Sequence, residues 1–172
     1  MTLTKSTPAG ERKPRTIDVP LEQLPPIDER CIEIDAPAEL AWAALFPSIE
    51  AAFATSLAHR YTEHVGALET EAHGDLHHPG GTLPGFTVTR AIAPVMLAMA
   101  GEHRFAKYAI VFRIDLMAAQ RSCVRLETRA EFKGGRGRLY RAAVIGTRGH
   151  VLMAHRILRR IKRRAERGAS GT

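Results

Sequence analysis

Three polar side chains interrupt otherwise apolar strand faces, and their types allow binding or proton-transfer chemistry. Apolar and charged residues alternate in 104–116, which predicts a strand with Arg104 and Tyr108 on its apolar face. The same alternation in 124–132 places Thr128 on the apolar face of the next strand. The apolar neighbours expected to line a ligand site with them are Ile110, Phe112 and Leu126. An arginine can hold a carboxylate or polarise a carbonyl, and a tyrosine can donate a hydrogen bond or a proton.

Arg104 and Tyr108 also have a purely structural interpretation. Arg104 would then lie at the solvated end of its strand. The hydroxyl of Tyr108 would be hydrogen-bonded at the edge of the core. The sequence leaves both interpretations open.

A long helix is predicted from about Gly137 to Glu166, where apolar residues recur at three- and four-residue steps. This helix would supply the wall opposite the strands. Its candidate ligand-binding residues are Tyr140, Val144, His150 and Val151. Core packing is the simpler explanation for Tyr140, and a partly buried, hydrogen-bonded imidazole is the simpler one for His150.

A histidine-rich segment invites a metal interpretation that its neighbours argue against. If it were extended, 69–77 would present acidic and histidine side chains on one face, and both are suitable zinc ligands. The residues concerned are Glu69, Glu71, His73, Asp75 and His77, followed by His78. Gly74 and the run 79–81 indicate a loop, and a solvated strand face explains the alternation equally well. We therefore expect no metal site, and we expect no cofactor.

Positive charge is concentrated at the end of the chain. Residues 133–167 hold 12 of the 25 basic residues but one of the 18 acidic residues. The densest part is 156–167, which includes Arg156, Arg159, Arg160, Arg163 and Arg164. A solvated helix face explains this run, because a helix C-terminus favours cations. Weak contact with an anionic membrane or with nucleic acid is the alternative.

Length and composition predict one soluble domain. At 172 residues, of which 45% are hydrophobic and 25% charged, the chain can bury a substantial core. Its longest weakly polar stretch, 91–101, is too short to span a bilayer. The basic N-terminal residues precede no apolar run, so we expect no secretory signal and a cytoplasmic location. Cys31 and Cys123 are expected to be reduced thiols, with an intramolecular disulfide as the alternative.

The chain is predicted to consist of a leader, one domain and a short tail. Five prolines in 1–27 predict a flexible or extended leader, 28–167 form the domain, and 168–172 form a frayed tail. Segment 61–83 predicts loops with one or two weak strands. The clearer elements are a strand at Arg30–Ile34, a helix at Ala38–Phe46, a second helix that opens at Pro47-Ser48, and strands at Phe86–Ile92, Arg104–Leu116 and Val124–Phe132. Arg90 interrupts the apolar side of its strand, which indicates a cavity mouth or a bulge.

The order of these elements resembles that of the START-like superfamily, also called SRPBCC or helix-grip. Residues 32–42 (IEIDAPAELAW) are similar to its opening strand and first helix. Residues 85–108 and 137–141 (GRLYR) resemble an uncharacterised bacterial branch related to polyketide cyclase/dehydrase and lipid-transport proteins. The resemblance implies an α+β helix-grip fold, in which a curved antiparallel sheet wraps around a long C-terminal helix and two short helices follow the first strand.

The resemblance also implies a cavity between sheet and helix. Members bind lipids, sterols, plant hormones or polyketides, and some catalyse cyclisation or dehydration. The paired Cys-His motifs of the iron-sulfur branch are absent from this sequence. The superfamily shares no catalytic residue set, so no catalytic residue can be assigned and fold alone does not fix function.

Three functions follow from these patterns. The leading hypothesis is the binding of a small hydrophobic ligand, lipid-like or polyketide-like, between the sheet and the last helix. The second is a cyclase- or dehydratase-type enzyme that uses Arg104, Tyr108 or His150. The third is an interaction module that uses the basic helix at membrane or nucleic acid. Oligomeric state and catalysis stay open at this stage.

Overall fold

The computed structural model describes residues 23–135, 137, 139, 141–142 and 149–171. The elements in chain order are β1 (Pro26–Ile34), α1 (Ala38–Phe53), α2 (Ser56–Val65), β2 (Thr82–Leu83), β3 (Phe86–Ile92), β4 (Met96–His103), β5 (Ala106–Ala118), β6 (Arg121–Phe132) and α3 (Gly149–Ser170). The strands form one curved antiparallel sheet in the order β1-β6-β5-β4-β3-β2. This is the predicted helix-grip architecture, and the fold class is confirmed.

The core lies between the inner face of the sheet and the helices α1 and α3. Strand residues on that face, such as Phe112 and Leu126, share one buried cluster with Leu45 of α1 and Ile161 of α3. The α3 residues in the cluster recur at three- and four-residue steps, so a single stripe of the helix faces the sheet. These contacts hold α3 across the sheet.

Helix α1 does not end where the sequence predicted. Pro47 lies inside it, and the helix runs on to Phe53 as one element. A proline removes one backbone donor, but the turns on both sides of Pro47 bury apolar side chains, including Phe46 and Ile49. Ser48 adds a hydrogen bond from its hydroxyl to the carbonyl oxygen of Ala44, at 2.7 Å. Tertiary packing thus overrides the local helix-breaking signal.

Helix α2 follows directly and begins and ends at clear caps. The Thr55 side chain accepts a hydrogen bond from the Ala58 amide at 3.1 Å. Gly66 ends the helix in the left-handed region, at φ 68°. The residues that follow, up to the short strand β2, form a loop with a single bridge between His73 and Thr82. Leu76 anchors this loop in the core. The loops and weak strand predicted for 61–83 are found only from Gly66 onward, because 61–65 belong to α2.

Strand β4 was not predicted from the sequence. Its inner residues Leu97 and Met99 and its outer residues Ala98 and Ala100 are all buried. Apolar residues on both faces remove the alternation that identifies a strand. The next strand, β5, begins at Ala106, because Arg104 and Phe105 form the turn between β4 and β5.

The remaining strands agree more closely with prediction. β5 and β6 form the expected antiparallel hairpin. The register shifts between Val88 and Arg90, so the bulge interpretation of Arg90 is confirmed. β1 begins at Pro26, earlier than the predicted Arg30, and the preceding Pro25 accepts a hydrogen bond from the Ala130 amide at 3.0 Å. Leu24 is buried on the outer face of the sheet.

The structure describes the predicted C-terminal helix from Gly149 onward. α3 continues past the predicted end at Glu166 as far as Ser170, whose hydroxyl donates to the Glu166 carbonyl oxygen at 2.9 Å. In the described ranges no single helix is long and apolar enough to cross a membrane. The helices α1 and α2 meet that criterion only as a pair bent by 66°.

Candidate functional site

The inner face of the sheet contains a fully buried row of side chains. Strand pairing places Leu97, Phe112 and Leu126 side by side, on β4, β5 and β6. Their exposed fractions are 0%, 0% and 2%. We call these three residues the closed row. α1 and α3 cover it, so it acts as core.

The adjacent row is only partly covered. Met99, Ile110, Thr128 and Asp28 lie side by side on β4, β5, β6 and β1. Met99 is buried, but the other three are half-buried. We call these four residues the open row. It combines an apolar surface with a hydroxyl and a carboxylate, which is the composition of small-molecule sites.

An ion pair sits at the β1 end of both rows. Asp28 and Arg30 are two residues apart on β1, so they share the inner face. Arg30 Nε donates to Asp28 Oδ2 at 2.8 Å, and this hydrogen bond raises the pKa of the arginine. The predicted strand at Arg30–Ile34 contained the arginine, but the pair itself was not predicted. The signal was present, because the same two-residue period extends back from Ile32 to Arg30 and Asp28.

Tyr108 lies one row beyond the open row, between Gly101 and Ala130. Its hydroxyl donates to the Gly85 carbonyl oxygen at 2.8 Å. Burial raises the pKa of Tyr108 far above its ordinary value, and the neighbouring Tyr61 raises it further. The phenol is therefore protonated at neutral pH and acts as a fixed hydrogen-bond donor.

His103 is a second titratable residue near this end of the sheet, and sequence reasoning missed it. It is buried, with its ring centroid 5.2 Å from that of Tyr108. Burial lowers its pKa, which favours the neutral imidazole. Its Nδ1 accepts a hydrogen bond from the Phe105 amide at 3.1 Å. The sequence did not reveal His103 as a site residue, because β4, the strand on which it lies, was not predicted.

Solved structures that share this architecture include two aromatase/cyclase proteins. The Zhui aromatase/cyclase from Streptomyces sp. R1128 aligns with a TM-score of 0.50 at 15% identity, over 81% of this chain and 93% of that one. The di-domain ARO/CYC StfQ from the steffimycin biosynthetic pathway aligns with a TM-score of 0.51 at 12% identity, over 83% of this chain and 51% of that one. The chain has the START-like fold. No family model matches the sequence, and no curated protein matches it.

Arg104 lies elsewhere in this START-like fold than the sequence predicted. It belongs to the β4–β5 turn and does not share the strand face of Tyr108. Its Nε donates to the carbonyl oxygen of Val65 at 3.1 Å, and its Nη2 donates to that of His64. The side chain therefore caps the end of α2. This agrees with the structural interpretation of Arg104, which placed it at the solvated end of its strand.

The α3 wall is described in part. His150 and Val151 are half-buried in the first turn of α3. Val151 precedes buried Ala154 and Leu158 at helical spacing, so it lies on the stripe that faces the sheet. The other two predicted wall residues, Tyr140 and Val144, lie outside the described residues. Their role stays a prediction.

The histidine-rich segment forms local pairs. His73 lies 3.0 Å from Glu71, and His77 lies 2.6 Å from Asp75. The backbone amide and side chain of His77 lower the pKa of Asp75. His77 also stacks on Phe46, with ring centroids 3.6 Å apart. Among the residues whose placement is described, no three such side chains are grouped to hold a metal ion.

The two cysteines are neighbours on the outer face of the sheet. Both are free thiols, with Cys31 exposed and Cys123 half-buried. Burial raises the pKa of the Cys123 thiol, and the nearby Cys31 thiol raises it further. They lie on the face opposite the open row. Cys31 pairs with Arg125, and Arg125 points to the outer face because its neighbour Leu126 points to the inner one.

Proposed function

We propose that this chain binds a small, mostly apolar molecule at the open row. The observation that carries the proposal is the change in burial between adjacent rows of one sheet. Phe112 is fully buried, whereas Ile110, two residues away on the same face, is half-buried. A bound apolar molecule would cover the Ile110 side chain and gain about 25 cal/mol for each Å² removed from water.

Polar groups around the open row would orient such a ligand. The Thr128 hydroxyl has no protein partner in the described part of the chain, so it is available as a donor or an acceptor. The Asp28–Arg30 pair supplies charge at one end of the row. An elongated molecule with an apolar body and one polar end fits this arrangement.

The test is to fill the open row. Replacing Ile110 with tryptophan would occupy the space in front of Thr128, and it should abolish binding of the fluorescent probe 8-anilinonaphthalene-1-sulfonate. It should also remove any mass that native mass spectrometry finds on the purified wild-type protein. Leu116→Trp is the matched control, because Leu116 lies on the same strand and face but is 69% exposed.

The proposal fails if the Ile110 and Leu116 variants bind the probe equally well. Far-ultraviolet circular dichroism and the thermal midpoint of each variant establish that it is folded. Organic extraction of the wild-type protein then identifies the chemical class of any retained molecule. A lipid and an aromatic polyketide differ clearly in mass and absorbance.

A cyclase- or dehydratase-type activity is the second candidate, and the Asp28–Arg30 pair favours it. A carboxylate can accept a proton, and a guanidinium can stabilise the developing enolate. The two solved structures compared above are named as an aromatase/cyclase and an ARO/CYC protein. If the pair is catalytic, Asp28→Asn should stop turnover of a poly-β-keto thioester but preserve probe binding. Equal turnover by wild type and Asp28→Asn would reject this role.

A further inference from the structure

The last turns of α3 carry four arginines that line one surface pocket. Arg160, Arg163, Arg164 and Arg167 surround it together with Ala51 of α1, and its volume is about 400 Å³. The spacing of three and four residues places the four side chains on one side of the helix. The pocket lies away from the open row and is independent of the proposed ligand there.

Hydrogen bonds to carbonyl groups hold two of these arginines in place. Arg160 Nη1 donates to the carbonyl oxygen of Ala51 at 3.0 Å, which links α3 to the end of α1. Arg167 Nε donates to the carbonyl oxygen of Arg163 at 3.1 Å. The pocket is thus partly organised without a ligand, which lowers the entropic cost of binding.

The positive charge of the pocket is not balanced by acidic side chains. In the portion of the chain that the structure describes, no carboxylate forms an ion pair with any of the four arginines. Lys162, on the same helix, does pair with Glu166, at 2.9 Å. The helix dipole supplies only about half a negative charge at the C-terminus. Four guanidinium groups therefore remain largely uncompensated.

A second surface pocket carries less unpaired positive charge than this one. It has a volume of about 380 Å³ and includes Arg104 and Lys133. Lys133 pairs with Glu102, and Arg104 donates to the carbonyl oxygens at the end of α2. The lysine charge is therefore paired with a carboxylate, whereas Arg104, like Arg160 and Arg167, is held by carbonyl oxygens. The two pockets are similar in volume and differ in unpaired charge.

We propose that the arginine pocket, formed by Arg160, Arg163, Arg164 and Arg167, binds a compact polyanion with two or more adjacent phosphate groups. The planar guanidinium group donates two parallel hydrogen bonds that match phosphate oxygens. A volume near 400 Å³ suits a small molecule. The phosphate groups can belong to a free oligophosphate or to a phosphorylated lipid headgroup.

Isothermal titration calorimetry with inorganic tripolyphosphate tests the pocket directly. The full-length protein should bind it, more weakly as the salt concentration rises. Arg163→Gln/Arg164→Gln removes two pocket charges and leaves the Arg160–Ala51 hydrogen bond intact. This double variant should lose affinity by about tenfold or more, as expected for lost charge-assisted hydrogen bonds.

The matched control is Arg156→Gln/Arg159→Gln. It removes the same charge from the same helix, but neither residue lines the pocket. The control should keep most of the affinity for tripolyphosphate. Equal losses in the two double variants would overturn the proposal, because they would show a nonspecific charge effect along α3. No binding by the folded wild-type protein would also overturn it.

Further arms of the experiment distinguish the source of the phosphates. One arm uses phosphatidylcholine vesicles that contain a lipid with several phosphate groups on its head. If the ligand is a headgroup, these vesicles should bind wild type but not Arg163→Gln/Arg164→Gln. Binding of tripolyphosphate without such vesicle binding assigns a free oligophosphate. Duplex DNA is the last arm. If DNA binds wild type more tightly than tripolyphosphate does, and binds both double variants equally poorly, the binding site is an extended nucleic-acid surface along α3 and not the pocket.

Discussion

The closed row and the open row differ in what covers them, although both cross the strands β4, β5 and β6. Phe112 in the closed row shares a cluster with Leu45 of α1 and Ile161 of α3. Ile110, in the open row, is only partly covered. The two rows are adjacent in the sheet register. One sheet can therefore contribute stability at the closed row and, as we propose, recognition at the open row, so that each can be altered without the other.

The strongest test of this difference compares Phe112→Ala with Ile110→Ala. Phe112→Ala should lower the free energy of unfolding by about 3 to 5 kcal/mol, because it leaves a cavity in a closed core. Ile110→Ala should cost only about 1 to 2 kcal/mol, since part of its side chain is already exposed to solvent. Urea unfolding measures both values. Similar costs would mean that the rows are not energetically distinct.

A substitution beside the rows tests the packing of Tyr108. A Cβ on Gly101 would lie 2.0 Å from the Gly85 carbonyl oxygen and 2.5 Å from Tyr108 Cε2. Gly101→Ala should therefore destabilise the protein by about 1 to 3 kcal/mol, because the backbone and the ring must move apart. Gly135→Ala is the control, since a Cβ there meets nothing within 4 Å. If both variants melt at the same temperature, the contact is not tightly packed.

The Tyr108 phenol should make the fold sensitive to alkali. Its pKa is raised in the folded protein, so the unfolded chain releases this proton more readily. Stability from Tyr108 is complete below the ordinary tyrosine pKa of about 10 and is lost as the pH rises above that value. At neutral pH, Tyr108→Phe should lower the free energy of unfolding by about 1 kcal/mol, because it removes the hydrogen bond to Gly85. At alkaline pH it should lose less stability than wild type.

Urea unfolding at neutral and alkaline pH measures this effect. Tyr61→Phe should change the alkaline response less than Tyr108→Phe, because Tyr61 is 45% exposed and is the smaller cause of the raised Tyr108 pKa. If Tyr108→Phe and wild type lose the same stability at alkaline pH, the loss comes from the titration of another group.

Most elements could be predicted because they follow simple periods, and the resemblance of their order to the START-like superfamily implied the fold. The hairpin of β5 and β6 alternates apolar and charged residues, so its pairing and inner face could be read directly. β4 could not be recognised, since Ala98 and Ala100 make its outer face apolar as well. Pro47 misled the helix prediction, because local propensity does not report the packing of Phe46 and Ile49.

The candidate site was less predictable than the fold. Tyr108 and Thr128 were placed on the correct face by their period, but Arg104 was not, because the position of a two-residue turn decides which way its side chain points. Asp28 lay just before the predicted strand at Arg30–Ile34, so its place beside Thr128 became visible only with the strand register. Local patterns thus find strand faces, whereas a site depends on which strands become neighbours.

The smallest effect on stability should come from the open row itself. The Thr128 hydroxyl has no protein partner in the described ranges, so Thr128→Val should change the free energy of unfolding by less than about 0.5 kcal/mol. The same variant should weaken binding of 8-anilinonaphthalene-1-sulfonate by about 1 kcal/mol, because it removes one hydrogen bond to the sulfonate. Thr128→Ser keeps the hydroxyl and should restore that affinity. Fluorescence titration of the three proteins measures the effect, and unchanged affinity in Thr128→Val would place the bound probe away from the open row.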